Sequence, residues 1–290
     1  MGTPAVAVGP LVALVEAGYE VPLVISGPDK RRGRGGQMTA SPVKAAAVEL
    51  GLTVSADLDD VGEVDADLGV VVAFGRLIPR SILDELPMVN IHFSLLPRWR
   101  GAAPVERAVL AGDDETGVCL MVVDRSLDTG DVYRRDAVTI GSDETVEELR
   151  ARLLEMGTTQ LLDALGQGLG VPEPQRGEPT YAAKVAAHEL ELDWSSPAEE
   201  LHRLVRVGGA WTTFRGKRLK IHGASLVASG LGTEGAELPR LEPGRLVGSV
   251  VGTGSGPLEL LEVQPEGRSS SLASDWLNGA RPSDDDTLGT

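Results

Sequence analysis

The sequence predicts an α/β protein of two domains, in which a mostly parallel sheet covered by helices precedes a smaller β domain. Three observations predict this architecture. Apolar strand-like runs alternate with helical patterns over residues 4–165. A stretch rich in proline and glycine, with little periodicity, follows over residues 171–190. Beyond it, short segments alternate between polar and apolar residues, as strands with one buried face do.

The elements of the first domain follow from apolar periodicity and from the residues that end each element. Helical patterns cover 10–17 and 42–50 and each stops at a glycine, whereas the continuous apolar run 69–74 is typical of a buried parallel strand. The remaining predicted elements are strands over 21–26, 88–93 and 118–123 and helices over 104–111 and 142–165. Parallel sheets bind ligands at the carboxyl ends of their strands, so polar residues that follow these strands are candidates for a site.

The second domain is predicted to begin with a helix over 197–207. The next strand, 218–222, alternates basic and apolar residues, so Leu219 and Ile221 would be buried and the basic residues exposed. Further elements are predicted as strands near 244–251 and 257–264 and a helical turn near 272–277. The segment after residue 280 is acidic and polar, and we expect it to be disordered.

The net charge of −16 argues at first against a nucleic-acid partner, but the charge is unevenly distributed. Residues 27–42 hold four basic residues and one acidic residue, and residues 203–222 hold six basic residues and no acidic one. Two basic clusters on an acidic protein favour selective contact with phosphate groups. The alternative interpretation is that both clusters are solvated loops and strand faces.

The sequence also excludes several classes of protein and site. No apolar run exceeds about eight residues, where a membrane span needs about 20, and no secretory signal pattern is visible. The single cysteine, Cys119, lies in an apolar run, which rules out a disulfide framework and a cysteine-rich zinc site. There is no metal-ligand cluster, P-loop, G-x-S-x-G or G-x-G-x-x-G motif, so NAD binding is disfavoured. We therefore expect a cytoplasmic protein without a bound metal and without membrane association.

Asn90, His92 and Asp128 are the candidate catalytic residues. Asn90 and His92 occupy alternate positions of the predicted strand 88–93, so their side chains lie on one face. An amide and an imidazole side by side can hold an oxyanion and move a proton. Asp128 lies in a loop after the predicted strand 118–123 and could orient and charge the imidazole. A lone histidine near a strand end is usually structural, but the Asn-x-His pair favours catalysis.

Other aromatic and histidine residues are less informative. Trp99, between Arg98 and Arg100, is either a surface anchor for its loop or part of a basic, aromatic lip beside the active site. The remaining histidines are interpreted as surface residues: His188, His202 and His222.

The segment Asn90–Pro97 resembles the shared motif of the 10-formyltetrahydrofolate-dependent formyltransferase family. Its extension Arg98–Pro104 is the part that resembles the methionyl-tRNA formyltransferase branch of that family. Further matching segments are Gly2–Pro4, Gly33–Gly35, Ser41–Lys44, Asp193-Trp194, Gly209–Thr212 and Val263–Pro265. The resemblance covers nearly the whole chain, including both basic clusters.

The resemblance implies transfer of a formyl group from 10-formyltetrahydrofolate to the α-amino group of methionine on initiator tRNA, by a monomer. It implies a Rossmann-like catalytic domain (1–171), a linker (172–192), a β-barrel of the oligonucleotide-binding (OB) type that binds tRNA (193–280) and a disordered tail (281–290). Four residues would line the folate cleft: Ser94, Leu95, Leu96 and Pro97. Arg34 would reach the acceptor end of the tRNA, and the second domain would hold its phosphates through Arg206, Arg215, Lys217, Arg218 and Lys220.

Two departures from the family pattern concern the fold. The family has a strand ahead of its Gly-Thr-Pro turn, whereas Met1 immediately precedes Gly2 here. Losing three or four buried side chains would cost about 5–10 kcal/mol, against a total stability of about 5–15 kcal/mol. We therefore expect that the first strand is missing, that the chain is truncated, and that it folds poorly as written. The turn Val207–Gly209 is also shorter than usual in the family, which leaves its shape open.

Two rival functions remain. A sugar-amine N-formyltransferase would share the folate half, although 98–104 and the basic second domain favour tRNA. A non-catalytic tRNA-binding module, inactivated by the missing strand, is the other alternative.

Overall fold

A computed structural model describes residues 1–32, 36–227, 241–283 and 285–290. The chain divides into two compact units. The first comprises 1–105, 115–139 and 150–183, and the second comprises 106–114, 140–149 and 184–290. The helices are α1 Val8–Glu16, α2 Pro42–Glu49, α3 Arg80–Glu85, α4 Pro104–Ala111, α5 Val146–Gln167, α6 Ala198–Val207 and α7 Ala273–Ala280.

The strands are short in the first unit, except around the candidate site. They are β1 Val24–Ile25, β2 Lys30–Arg32, β3 Gln37–Thr39, β4 Val54–Ser55, β5 Gly69–Val71, β6 Met88–His92, β7 Arg100–Gly101, β8 Glu115–Val122, β9 Val132–Thr139 and β10 Tyr181–Ala182. The second unit contains β11 Trp211–Phe214, β12 Lys217–Leu226, β13 Leu246–Val247, β14 Val250–Gly252, β15 Pro257–Pro265 and β16 Ser271–Leu272.

The predicted mostly parallel sheet is confirmed, with an antiparallel extension. One sheet has the order β5-β6-β8-β9, in which β5 and β6 are parallel. Strand β8 runs antiparallel to both β6 and β9. Strands β1 and β4 form a separate parallel pair. A parallel bridge joins Gly2 to Val72, and the amide of Gly2 donates to the carbonyl of Ile25 at 3.0 Å, so the N-terminal residues connect β1 to the larger sheet.

A cavity of about 370 Å³ lies beside these N-terminal residues. Its walls are largely apolar and include Leu11, Leu14, Val24, Ile25 and Val72. The ammonium group of Met1 donates to the carbonyl of Val70 at 2.6 Å. Burial lowers the pKa of this amino group to about 6, because a buried charge loses its hydration. The charged form of this amine is therefore disfavoured beside the cavity.

Helix α5 packs closely against the larger sheet through Gly157. A Cβ atom at Gly157 would lie 2.6 Å from Cγ2 of Ile91 and 3.0 Å from Cγ2 of Val118. Both neighbours are buried and β-branched, so neither can move aside easily. Helix and sheet approach one another closely because this position carries no side chain.

Gly157→Ala is expected to lower the free energy of unfolding by about 1–3 kcal/mol, because the added methyl group overpacks the core. Gly166→Ala in the same helix is the matched control, since no atom lies within 4 Å of its added Cβ. The control should be neutral or stabilising by up to about 1 kcal/mol, as alanine favours helix. Urea unfolding of both variants makes the comparison, and equal stabilities would contradict the tight packing.

The second unit is built on an antiparallel sheet with the order β11-β12-β15-β14-β13, and β16 pairs with β15. Leu219 and Ile221 of β12 are 2 % and 0 % exposed, which confirms their predicted burial. They pack in one core with side chains of α6 and α7, among them Leu201 and Trp276. No ladder closes this sheet into a barrel among the described residues, and residues 228–240 lie outside them. The β domain is confirmed, and closure into an OB-like barrel stays a prediction.

The prediction of a disordered tail is wrong for the described residues of 281–290. Leu288 is 3 % exposed and forms a bridge with Phe214, and Asp286 binds Arg215 at 2.7 Å. An apolar side chain, an ion pair and main-chain hydrogen bonds together anchor this acidic segment, which composition alone does not reveal. The surface assignment of His202 is also wrong, because this side chain lies on the inner face of α6 and is 3 % exposed.

Candidate active site

Asn90 and His92 project from the same face of β6, as their alternate spacing predicts. Ile91, between them, faces Gly157 of α5, so the two polar side chains point away from that helix. In the ladder with β8, His92 stands opposite Cys119 and Asn90 stands opposite Met121. These two β8 residues belong to a buried apolar cluster, which excludes water from one side of the imidazole.

The two ring nitrogens of His92 have different surroundings. Nε2 lies 3.0 Å from the carbonyl oxygen of Trp99. A carbonyl oxygen only accepts, so Nε2 carries the hydrogen of this bond. Nδ1 lies 3.7 Å from Oδ2 of Asp128, which is longer than a hydrogen bond. The carboxylate therefore lies beside the ring without a hydrogen bond to Nδ1.

Asp128 adopts a backbone conformation that is unusual for a residue with a side chain. Its φ is +52°, in the left-handed region that favours glycine. Its Oδ2 accepts a hydrogen bond from the amide of Gly101 at 2.8 Å. Because β8 is antiparallel to β6, the carboxyl end of β8 lies beside the amino end of β6. The loop between β8 and β9 must therefore turn back to bring Asp128 to His92. The sequence had predicted that both residues would follow the carboxyl ends of parallel strands.

The loop that carries Trp99 is held by residues assigned to the linker. The amide of Trp99 donates to Oγ1 of Thr180 at 2.8 Å, and β7 pairs with β10. At Gly101, with φ +123°, an added Cβ would lie 2.8 Å from the carbonyl oxygen of Ala182, so only glycine fits. The carbonyl that faces His92 is thus positioned by a segment about 80 residues away in sequence.

A second contact from this segment reaches the Asp128 loop. The side-chain amide of Gln175 donates to the carbonyls of Asp128 and Gly130, at 2.9 and 2.8 Å. Sequence reasoning missed Gln175 and Thr180, because both lie among prolines where no periodicity marks an element. Only long-range contacts identify them.

The four predicted folate-lining residues divide into two groups. Ser94 is fully buried, and its hydroxyl donates to the carbonyl of Arg98 at 2.6 Å. Leu96 is 1 % exposed and belongs to the apolar cluster with Cys119. Their side chains shape the turn from inside, and the lining of a folate cleft by Ser94–Pro97 stays a prediction. Leu95 and Pro97 are partly exposed and can contact a ligand.

Arg206, predicted to hold tRNA phosphates, is committed to the protein itself. Its Nε donates to the carbonyl of Glu144 at 2.8 Å, and its Nη2 donates to that of Gly141 at 2.7 Å. Burial lowers the pKa of this guanidinium, because desolvation disfavours the charge. The structure therefore favours a structural role for Arg206. The sequence could not separate this role from phosphate binding, because carbonyl oxygens attract a guanidinium as phosphates do.

The other predicted tRNA-binding residues lie near the outer face of β12, except Arg34, which is outside the described residues. Arg215 binds Asp286 and stacks over Phe214 at 4.8 Å. Arg218 stacks over Trp211 at 3.8 Å, and Trp211 is the cross-strand partner of Lys220. Three exposed cations on this strand, together with Trp211, form a basic aromatic surface: Lys217, Arg218 and Lys220.

The described residues contain neither a metal-binding cluster nor a membrane-spanning helix. In the part of the chain that the structure describes, no three His, Cys, Asp or Glu side chains are grouped to hold a metal ion. Within the same residues, no helix combines the length and apolarity needed to cross a membrane.

Comparison with known proteins gives consistent matches. The formyl transferase family model matches residues 10–165, and the model of the formyl transferase C-terminal domain matches residues 184–281. The methionyl-tRNA formyltransferase of Roseobacter denitrificans is 43 % identical over 97 % of this chain and 94 % of its own length. That of Neisseria gonorrhoeae is 42 % identical over 92 % of this chain and 91 % of its own.

One solved structure with the same fold carries a folate. It is an N-formyltransferase from Helicobacter canadensis in complex with folinic acid and dTDP-3-aminofucose. It superposes with a TM-score of 0.66, covering 91 % of this chain and 97 % of its own, at 16 % identity. At that identity the likeness shows the fold alone.

Proposed function

Because the chain belongs to the formyl transferase family, we propose that it transfers the formyl group of 10-formyltetrahydrofolate to the α-amino group of methionyl initiator tRNA. Relatives named methionyl-tRNA formyltransferase, at 42–43 % identity over more than nine-tenths of the chain, support the acceptor. The observation that carries the chemistry is the approach of Asp128 to His92, at 3.7 Å, on the face that also presents Asn90. Both units belong to one chain, and we expect it to act as a monomer.

The proposed reaction needs one oxyanion and two proton movements. The neutral amine attacks the formyl carbon, and the carbonyl oxygen becomes the oxyanion of a tetrahedral intermediate. Asn90 would donate to that oxygen, and His92 would join it once its Nδ1 has taken up the proton of the attacking nitrogen; one such donor contributes about 10²–10³-fold in rate. The attacking nitrogen then loses a proton and N10 gains one as its bond to carbon breaks. Since Nε2 of His92 is held by Trp99, Nδ1 relays the proton, and Asp128 stabilises the positive ring by charge.

The folate would lie against Leu95 and Pro97, whose partly exposed side chains belong to the loop that follows β6. The tRNA would contact the basic aromatic surface of β12, where Lys217 and Lys220 supply charge and Trp211 supplies a ring. Stacking on an aromatic ring and charge against phosphates are the usual contacts of single-stranded nucleic acid. Binding through phosphates would weaken steeply as salt rises.

The test is incubation of the protein with 10-formyltetrahydrofolate and methionyl initiator tRNA, with formyl-methionine scored by mass spectrometry. Rapid formylation is the expected result. A parallel reaction replaces the tRNA by dTDP-3-aminofucose, because the Helicobacter neighbour was solved with this amino sugar. Formylation of the sugar alone would establish the sugar-amine alternative. Salt-sensitive binding of tRNA without turnover of either acceptor would establish a non-catalytic tRNA-binding module.

A further inference from the structure

We propose that Gln175 is a positioning residue for formyl transfer, which holds the Asp128 loop at its working distance from His92. The proposal rests on the proposed function. Gln175 does not touch His92, so its effect on the reaction would be indirect. It belongs to the segment between Gly170 and Lys184, which the chain's composition marks only as a linker.

Every hydrogen-bonding group of the Gln175 side chain is used. Its Nε2 donates to the carbonyls of Asp128 and Gly130. Its Oε1 accepts from Nε and Nη2 of Arg100, at 3.0 and 2.6 Å. The amide orientation is fixed by this arrangement, because exchanging nitrogen and oxygen would place donors against the guanidinium and an acceptor against two carbonyls.

These bonds close a ring that joins two loops of the site. Gln175 binds the main chain of Asp128, the Asp128 carboxylate binds the amide of Gly101, and the neighbouring Arg100 returns to Gln175. Gln175 thus holds together the loop that carries the carboxylate and the strand that carries its hydrogen-bond donor. Breaking the ring at Gln175 would free both.

Asp128 depends on such support because its backbone is strained. A left-handed conformation at a residue other than glycine persists only where its surroundings enforce it. Gln175 fixes the carbonyls of residues 128 and 130, on either side of Thr129. Gln175 is itself anchored two residues upstream, where Glu173 and Val132 exchange main-chain hydrogen bonds of 2.8 and 2.9 Å. The linker segment is therefore a brace for the site.

Gln175→Glu keeps the size of the side chain but replaces the donating amide nitrogen by an oxygen that would face two carbonyls. We expect kcat to fall about 10–100-fold, as for other residues that orient catalytic groups. The KM values for methionyl-tRNA and folate should stay within about threefold, because Gln175 would act on Asp128 and not on a substrate. Glu178→Gln, an exposed position in the same segment, is the matched control and should behave as wild type.

Two further measurements separate positioning from a general loss of structure. In an Asp128→Asn background, Gln175→Glu should reduce kcat by less than about threefold, because residues that act as a unit are not additive. Hydrogen exchange of peptides covering 98–101 and 124–131 should accelerate in Gln175→Glu and Gln175→Ala but not in the control. The proposal would be overturned if the effects of Asp128→Asn and Gln175→Glu on kcat multiplied in full. It would also be overturned if hydrogen exchange in both loops were unchanged. Exchange needs no substrate, so this arm decides the matter even if the wild type proves inactive and the proposed function fails.

Discussion

Replacing His92 by alanine is expected to reduce the rate of formyl transfer by about 10²–10⁴-fold, the usual contribution of a general acid–base group. In the proposed mechanism Nδ1 of His92 relays the proton, and Asp128 lies 3.7 Å from it. Single-turnover rates with saturating methionyl-tRNA and folate measure the chemical step without product release. His188→Ala, an exposed histidine of the second unit, is the control and should keep the wild-type rate.

Substitution of Asn90, alone and together with His92, tests how the two residues share the stabilisation of the transition state. Asn90→Ala should cost about 10²–10³-fold, as loss of one oxyanion donor does. Its combination with His92→Ala should cost less than the product of the two single effects, because both groups stabilise one transition state. If His92→Ala and wild type turned over equally fast, His92 could not be the acid–base group.

An apolar strand fused ahead of Met1 is expected to raise the melting temperature by about 5 °C or more. The bridge between Gly2 and Val72 already sets the register in which such a strand would continue between β1 and β5. Five or six apolar residues would fill the 370 Å³ cavity, and burying three or four side chains gives about 5–10 kcal/mol. The entropy of ordering the strand offsets part of this gain, so a net effect of a few kcal/mol remains.

The gain should also depend on pH, because the extension removes the buried ammonium of Met1. The pKa of this amine is about 6 in the folded chain and 8 in the unfolded chain. The unfolded chain therefore binds more protons between pH 6 and 8, and the stability of the unextended protein rises with pH across that window. The difference between these two pKa values corresponds to roughly 3 kcal/mol of stability. The extension should therefore stabilise the protein more at pH 6 than at pH 8.

An extension of the same length made of glycine and serine is the matched control. It removes the buried amino group but offers no apolar side chains to the cavity. It should therefore give only the pH-dependent part of the gain in stability. Mass spectrometry must first confirm that the reference protein retains Met1. If the apolar and the glycine–serine extensions melted at the same temperature, the cavity would not be a strand position.

The sequence predicts features of this site that local geometry determines. Asn90 and His92 share a face because residues two apart on any strand do, and Leu219 and Ile221 are buried for the same reason. The partners of these residues are not local. Gln175 reaches the Asp128 loop across 47 residues, and no periodicity in a proline-rich segment could indicate it.

Charge and polarity predict a residue's chemistry without predicting its partner. The carbonyls of Gly141 and Glu144 hold the guanidinium of Arg206, which the family resemblance had assigned to tRNA phosphates. The hydroxyl of Ser94 likewise turns inward to the carbonyl of Arg98. In both positions the partner is a main-chain oxygen, which no side-chain pattern reveals.

The left-handed backbone of Asp128 has a consequence for directed evolution of this enzyme. Glycine adopts that conformation without strain, so Asp128→Gly would relieve it while deleting the carboxylate. A selection that rewards heat resistance alone could thus enrich a protein that lacks the proposed catalytic carboxylate. Libraries screened for robustness must therefore also be screened for turnover.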